Sequence, residues 1–278
     1  MGVREELLSL VEQVTCQVIV PTVRQIYIPE PSIAADQHAE FGLVELADGA
    51  AGLFYAWMGE SQLGISDRYK IDDVVGANAV DIAQYYAGDD DIARSLGLAA
   101  INAIAQSVFN RLRVGSTRAE DSMGGLSLRP GDRLGMVGNF PSLVRQARNL
   151  DVPVTVVERK THMLKEDHGI RITLNPETLA DCNKIICTAA TLINDSVDEM
   201  LGYCAHAEMV AMIGPSASFF PDPLFARGVD VVGGTRVLDA SAVIAGQRKG
   251  EGLGTNAYRY SLSRERYAGT ENLCAMLR

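Results

Sequence analysis

Residues 2 to about 18 have apolar positions at Leu7, Leu8, Val11, Val14 and Val18. Steps of three and four put most of them on one stripe, which predicts an amphipathic first helix. The pattern then changes. V-R-Q-I-Y-I reads as a strand, and F-G-L-V-E-L and A-G-L-F-Y-A-W flank A-D-G-A, which predicts a hairpin turning at Asp48-Gly49. Two helices are expected next, from about Ala77 to Tyr86 and from about Asp90 to Leu112. The acids at Asp89 to Asp91 suit the positive start of the second. Within it L-G-L-A-A-I-N-A-I-A is apolar almost all round, so this helix should be deeply buried.

The polar, glycine-rich stretch S-T-R-A-E-D-S-M-G-G-L-S-L-R-P-G-D follows, and a domain boundary is expected there, close to residue 120. From residue 132 short apolar runs alternate with helical signals. The runs are R-L-G-M-V, P-V-T-V-V-E, K-I-I-C-T, M-V-A-M-I and V-D-V-V, with candidate helices beginning near Pro141, Pro176, Ile193, Pro221 and Asp239. Buried strands separated by helices predict a doubly wound, mainly parallel sheet. The expected fold is α/β: an α+β domain over residues 1–120, the doubly wound domain over 121–250, and a C-terminal extension over 251–278.

Composition narrows the partners. At 278 residues, 47% hydrophobic and 22% charged, the chain can hold two cores of ordinary size. No apolar run approaches the roughly 18 to 20 residues that span a bilayer, and M-G-V-R-E-E-L-L lacks the zones of an export signal. A cytoplasmic protein with no membrane partner is expected. The 25 basic and 35 acidic residues leave a net charge of −10, which repels polyanions and argues against nucleic acid. The basic residues near the end, Arg248, Lys249, Arg259, Arg264 and Arg266, read as a solvated tail. The five cysteines, Cys16, Cys182, Cys187, Cys204 and Cys274, are odd in number and form no C-x-x-C pair. Reduced, mostly buried thiols are the expectation.

In open parallel sheets, ligands bind beyond the carboxyl ends of the strands. The first such turn is L-G-M-V-G-N-F-P-S-L-V: a strand, then Gly138, Asn139 and Phe140, then a helix from Pro141 whose amides could face a polar ligand. The fingerprint G-x-G-x-x-G is absent, and Phe140 stands near where backbone would have to approach a pyrophosphate. Glu158 ends the second strand 20 residues after Gly138. An acid there can hydrogen-bond a ribose hydroxyl, in dinucleotide and in S-adenosylmethionine sites alike, or simply be solvated. T-A-A-T-L-I-N-D supplies Thr188, Thr191 and Asn194 for capping or ligand contact. I-G-P-S-A-S-F-F-P-D-P supplies Gly214 and Ser216 but no G-x-S-x-G elbow. Asn102, an amide in an apolar helix, is either a satisfied core residue or a cleft contact. Direct metal ligation has thin support: Cys204-Ala-His206, Cys182 with Cys187, and Asp36, His38 and Glu40 on one face of a strand show no four-ligand spacing.

Three stretches carry a resemblance: G-M-V-G-N-F-P-S-L-V, T-A-A-T-L-I-N-D-S-V-D-E-M-L and G-P-S-A-S-F-F-P-D-P-L-F-A-R-G-V-D-V-V-G-G-T-R-V-L-D. Over residues 132 to about 247 they resemble the family of putative heavy-metal chelation proteins, and L-G-L-A-A-I-N-A is more weakly similar to that family's first domain. The resemblance implies an enolase amino-terminal-like domain followed by a Rossmann-like domain, with a ligand site in the cleft between them. It also implies a role in metal homeostasis, making or handling a small chelator of pterin, flavin or siderophore type.

Three functional readings stand at this point. The first is a protein that binds or processes such a metabolite in the cleft, using Gly138, Asn139, Phe140, Glu158, Thr191, Asn194, Gly214 and Ser216, with Asn102 from the other side. Phe140, Glu158, Asn194 and Ser216 should then surround one pocket. The second is a methyltransferase-like enzyme with S-adenosylmethionine on the Gly138–Glu158 side. The third is a non-catalytic metal carrier using Cys182, Cys187, Cys204 and His206. S-adenosylmethionine or a bound metal chelate are the cofactors these readings admit, and a homodimer is compatible with all of them. No nucleophile or acid–base pair is legible, so catalysis stays open.

Overall fold

A computed structural model describes residues 1–29, 41–56, 71–119 and 125–278. Asp36, His38 and Glu40, and the expected boundary at residue 120, lie outside the described residues.

Helix α1 (Val3–Thr15) buries Val3, Leu7, Val11 and Val14, close to the expected stripe. Strands β1 (Val23–Tyr27), β2 (Phe41–Leu46) and β3 (Ala51–Tyr55) pair antiparallel in that order. The β2–β3 hairpin turns at Asp48-Gly49: Gly49 takes φ +85°, and Asp48 Oδ1 accepts from the Ala50 amide at 3.0 Å. Glycine reaches that φ without steric cost. Short helices α2 (Ile71–Val74) and α3 (Ala79–Ala83) and a 3-10 turn at Gln84–Ala87 lead into α4 (Asp91–Leu112). Asp90 caps α4 by accepting from the amides of Ile92 and Ala93. Every residue from Ala93 to Phe109 is buried. By length and composition alone α4 could cross a membrane, but 94% of its most apolar window is buried inside the protein. It is a core helix.

The second sheet has eight strands in the order β11-β10-β9-β8-β4-β5-β7-β6. They are β4 (Leu134–Val137), β5 (Val154–Val157), β6 (Lys165–Asp167), β7 (Ile170–Thr173), β8 (Lys184–Thr188), β9 (Met209–Ile213), β10 (Val231–Val237) and β11 (Ala257–Ser263). The six central strands run parallel, and β6 and β11 close the edges antiparallel. Helices α5 (Pro141–Asn149), α6 (Ala190–Ile193), α7 (Val197–Gly202), α8 (Asp222–Phe225), α9 (Ala240–Arg248) and α10 (Thr270–Ala275) complete this part. The chain is therefore mixed α/β with a mainly parallel sheet, as expected.

Three local expectations are corrected. Pro176 opens a 3-10 turn, Pro176–Asp181, not an α-helix. The hairpin β6–β7 was not anticipated; it turns at His168 (φ +46°) and Gly169 (φ +78°), the left-handed pair that a two-residue hairpin turn requires. The C-terminal residues are not a solvated tail. In β11 the alternation A-Y-R-Y-S-L-S buries Tyr260 and Leu262, and Arg264 is held by Asp230 at 2.6 Å.

Side-chain alternation splits the large sheet between two layers. Leu134, Met136, Val154, Val156, Ile186 and Ala211 face Leu143 and Ala147 of α5. Val137, Val157, Ile185, Cys187, Val210 and Met212 belong to a second cluster, which continues without a break into α1 and α4. The two parts of the chain share that core.

Candidate functional site

The sheet reverses direction of growth at β4, with β5 on one side and β8 on the other. The two connections leave to opposite faces: α5 packs in one layer, while Leu192 and Ile193 of α6 pack in the other. Such a reversal opens a crevice beyond the carboxyl ends of the two strands. Gly138 opens the loop that leaves β4 at this place. Its φ is +84°, and a Cβ there would lie 2.9 Å from Thr188 Cγ2. One strand further on, a Cβ on Gly214 (φ +147°) would lie 3.3 Å from Ala189 Cβ, and its amide donates to Gly233 O at 3.0 Å. Glycine lets the loops after β4, β8 and β9 abut.

Most polar residues expected at these turns are engaged locally. Thr188 Oγ1 accepts from the Ala190 amide at 3.3 Å, and the buried Thr191 hydroxyl donates to Thr188 O at 2.8 Å. Asn194 Oδ1 accepts from the amide and hydroxyl of Ser196 at 3.2 and 2.6 Å. Glu158 Oε1 accepts from the amides of Arg159 and Lys160 at 2.8 and 3.3 Å. Phe140 is the N-cap of α5 and packs, half-buried, against the layer of Leu126, Leu134 and Leu143, with Asn139 half-buried beside it.

The expected single pocket is not what the fold builds. Alternation from Val154 and Val156 carries Glu158 to the α5 face, whereas Asn194 ends α6 on the other face. The reversal between β4 and β8 separates them, because right-handed crossovers built outward from it in opposite directions lie on opposite faces.

Helix α4 lies across the carboxyl ends of β8, β9 and β10 and against Tyr260 of the antiparallel β11. Arg94 Nε donates to Ile193 O, and Tyr86 OH donates to Leu192 O at 2.9 Å. Asn102 Nδ2 donates to Leu53 O and to Ser216 O, both at 2.9 Å, and Asn102 Oδ1 accepts from the Ser218 amide at 3.2 Å. Gln106 Nε2 donates to Ser218 O and to Tyr260 OH at 3.1 and 2.7 Å. Arg236 Nε donates to Gln106 Oε1 at 3.2 Å. Burial pushes the Tyr260 phenol up to about 12, so it stays a neutral partner in this chain of bonds. Asn102 is thus a satisfied core amide that holds the loop after β9. Arg94, Gln106 and Arg236 escaped the reading of the sequence, although polar side chains inside so apolar a helix were a usable signal for the first two. Ser216 is buried, and its hydroxyl has no hydrogen-bond partner among the described residues. The first part of the chain therefore covers the β8–β10 side of the carboxyl edge, and among the described residues α4 makes no hydrogen bond to the ends of β4, β5 and β7.

The cysteines do not assemble with His206. Cys182, Cys187 and Cys204 are buried in the core and His206 is exposed. The Cys204 thiol beside Cys187, together with burial, holds the Cys187 thiol above its ordinary range. Among the described residues no group of three or more His, Cys, Asp or Glu is placed to hold a metal ion.

Two family models match the chain, over residues 121–265 and 39–105, and both are described as putative heavy-metal chelation. An uncharacterized protein of Methanocaldococcus jannaschii is 27% identical over 158 residues, 56% of this chain and 59% of that relative. The chain thus aligns to less than two thirds of that relative's length. Two solved structures of proteins of unknown function from the same family share the fold. That from Pyrococcus horikoshii has a TM-score of 0.65 at 18% identity, covering 94% of this chain and 97% of its own. That from Desulfitobacterium hafniense has a TM-score of 0.68 at 16% identity, covering 93% and 98%.

Proposed function

The chain belongs to the family described as putative heavy-metal chelation, and from that premise we propose that it binds or processes a small metal-chelating metabolite of pterin, flavin or siderophore type, in the service of heavy-metal homeostasis. The ligand sits in the crevice between Gly138–Phe140 and Thr188–Thr191, with α4 as the wall on the side of β8. The observation that carries this reading is the reversal at β4 and β8, with Gly138 and Thr188 in contact where the two strands end. Open parallel sheets take their ligands at that place.

In this reading residues 1–120 are an enolase amino-terminal-like domain and 121–250 a Rossmann-like domain, closed by 251–278. The protein acts in the cytoplasm on a small molecule, not on nucleic acid or a membrane. Asn139, Phe140 and Glu158 are the ligand contacts, and Asn102, Gly214 and Ser216 support the wall. The metal arrives as part of the chelate, so no ring of protein ligands is needed.

The test is mass spectrometry of the native protein, before and after mild denaturation, with elemental analysis of the same sample. A released small molecule carrying a transition metal is the expected result. A protein that releases nothing after expression in a metal-replete host, and gains nothing when offered pterin, flavin and catechol chelates, would end the proposal.

A further inference from the structure

The thiols of Cys187 and Cys204 stand side by side in the core layer that holds α6 and α7. Alternation along β8 turns Ile185 and Cys187 to this layer and Ile186 to the α5 layer. Cys204 lies in the turn after α7, where its amide donates to Leu201 O at 3.0 Å and its thiol to Met200 O at 3.1 Å. Both side chains are buried, but not at the same depth. Gly202, Ala205 and His206 around Cys204 are exposed, so its turn is part of the surface. Cys187 lies beneath it in a central strand. Cys182, by contrast, turns its thiol to Thr178 O at 3.8 Å.

A single buried thiol acts as a small apolar side chain. Two thiols in contact can do more, because one can stabilise the other's charge. A hydrogen bond from the Cys187 thiol, against burial, holds the Cys204 thiol below its ordinary range, while Cys187 stays above its own. Cys204 is therefore both nearer the solvent and readier to ionise, and the thiolate is the form that meets an oxidant. The chain between the two cysteines, 188–203, includes Thr188, Thr191 and Asn194.

We infer that Cys187 and Cys204 form a reversible redox latch, which on oxidation by a peroxide staples β8 to the turn after α7 and closes 188–203 into a ring. The Cys204 thiolate attacks one peroxide oxygen; the O–O bond breaks, hydroxide leaves, and Cys204 becomes a sulfenic acid. The Cys187 thiol then attacks that sulfur, and its proton leaves with the sulfenic hydroxyl as water. Two electrons have passed from the thiols to the peroxide. A small dithiol reverses the bond by exchange. Transient, redox-sensing disulfides are the kind that a reducing compartment admits. The crevice proposed above gives the latch its consequence, since the ring is the β8 wall, but the bond itself does not depend on that reading.

The test uses the full chain carrying Cys16→Ser, which removes the exposed thiol. The reduced protein is treated with a small excess of hydrogen peroxide, alkylated in denaturant and mapped by mass spectrometry. A Cys187–Cys204 bond should form in the folded protein and disappear with dithiothreitol, with Cys182 and Cys274 still alkylated. In Cys187→Ser, dimedone should trap a sulfenic acid on Cys204; in Cys204→Ser, Cys187 should stay reduced. Amides within 188–203 should exchange with deuterium roughly tenfold more slowly in the oxidised protein, because the closed ring restrains opening. The mapping of the parent chain stands even if a further serine variant does not fold. No bond in the folded protein, a bond from either cysteine to Cys182, or a bond that forms only in urea overturns the inference. So does unchanged exchange across 188–203. A latch that forms in a protein taking up no metal chelate would support the inference and end only the crevice reading.

Discussion

Asn102 and Ser216 are joined by a 2.9 Å hydrogen bond from the side-chain amide of one to the main-chain carbonyl of the other, across 114 residues of sequence. The second amide hydrogen of Asn102 reaches Leu53 O, and its oxygen takes the Ser218 amide. One side chain thus ties β3, α4 and the loop after β9 together. Replacing it with leucine would leave two carbonyls and one amide buried without partners. At about 1–3 kcal/mol for each such group, Asn102→Leu should cost about 3 kcal/mol or more in urea denaturation. A loss under about 1 kcal/mol would mean that the freed groups find other partners.

Ser216 itself calls for the opposite result. Its hydroxyl is sealed from solvent without a partner among the described residues, and a buried unsatisfied hydroxyl is a cost to the fold. Ser216→Ala should leave the melting temperature unchanged or raise it. A destabilisation above about 1 kcal/mol would show that the hydroxyl is bonded after all, through water or a residue outside those described.

Gly138 and Thr188 make a third case, in which backbone and packing can be separated. An alanine at position 138 would have to hold φ +84° and place its Cβ 2.9 Å from Thr188 Cγ2. The first demand alone costs about 1–2 kcal/mol. Thr188→Ser removes Cγ2, so the double variant Gly138→Ala/Thr188→Ser should recover about 0.5–1 kcal/mol relative to additivity. Strict additivity would mean that the loops after β4 and β8 move apart freely.

What was legible in the sequence follows from how burial writes itself into a pattern. The stripe of α1, the all-round apolar α4 and the parallel strands could be read because each is buried on a fixed period. The hairpin β6–β7 could not. Its residues are exposed or half-buried, so no alternation is written, and His168-Gly169 is a rarer form of a turn usually spelled with Asn or Asp. Strand β11 reads as a basic tail because Arg259, with Arg264 and Arg266 just beyond it, outweighs the alternating Tyr258, Tyr260 and Leu262. At the site, the glycine turn after β4 was legible. The role of Asn102 was not, since a buried amide needs partners equally in a core and in a cleft, and its partners are set by tertiary contact. The separation of Glu158 from Asn194 depends on which face each crossover takes, which no local pattern records.

The contact between α1 and the second part of the chain should be sensitive to acid. Arg227 donates to both oxygens of Glu6 at 3.0 Å and to Asp198 Oδ1 at 2.9 Å, and Asp198 Oδ2 accepts from the Val3 amide at 2.9 Å. The hydrogen bonds from Arg227 hold the Glu6 carboxyl below the usual glutamate range, against a smaller opposing effect of burial. A lowered folded-state pKa contributes stability that is complete above the unfolded value and lost as the pH falls through the folded one. Glu6→Gln should therefore cost about 0.5–1 kcal/mol at neutral pH, and the difference from wild type should vanish in acid below the ordinary glutamate range. A difference that stays constant with pH would assign the effect to packing rather than charge.

The turn after β4 should gain nothing from a pyrophosphate. Pro141 has no N–H to offer, and the amides of Leu143 and Val144 already return to Phe140 O at 2.9 and 3.0 Å. The Phe140 ring packs into the α5 layer at the position where a dinucleotide site keeps a glycine for close backbone approach. The phosphates of NAD and NADP would reach this turn only by displacing Phe140 from that layer. Calorimetry should find both dinucleotides binding no more tightly than adenosine itself. A micromolar Kd for either, with adenosine weaker by tenfold or more, would mean that the turn re-forms around phosphate and that Phe140 leaves the α5 layer to let it in.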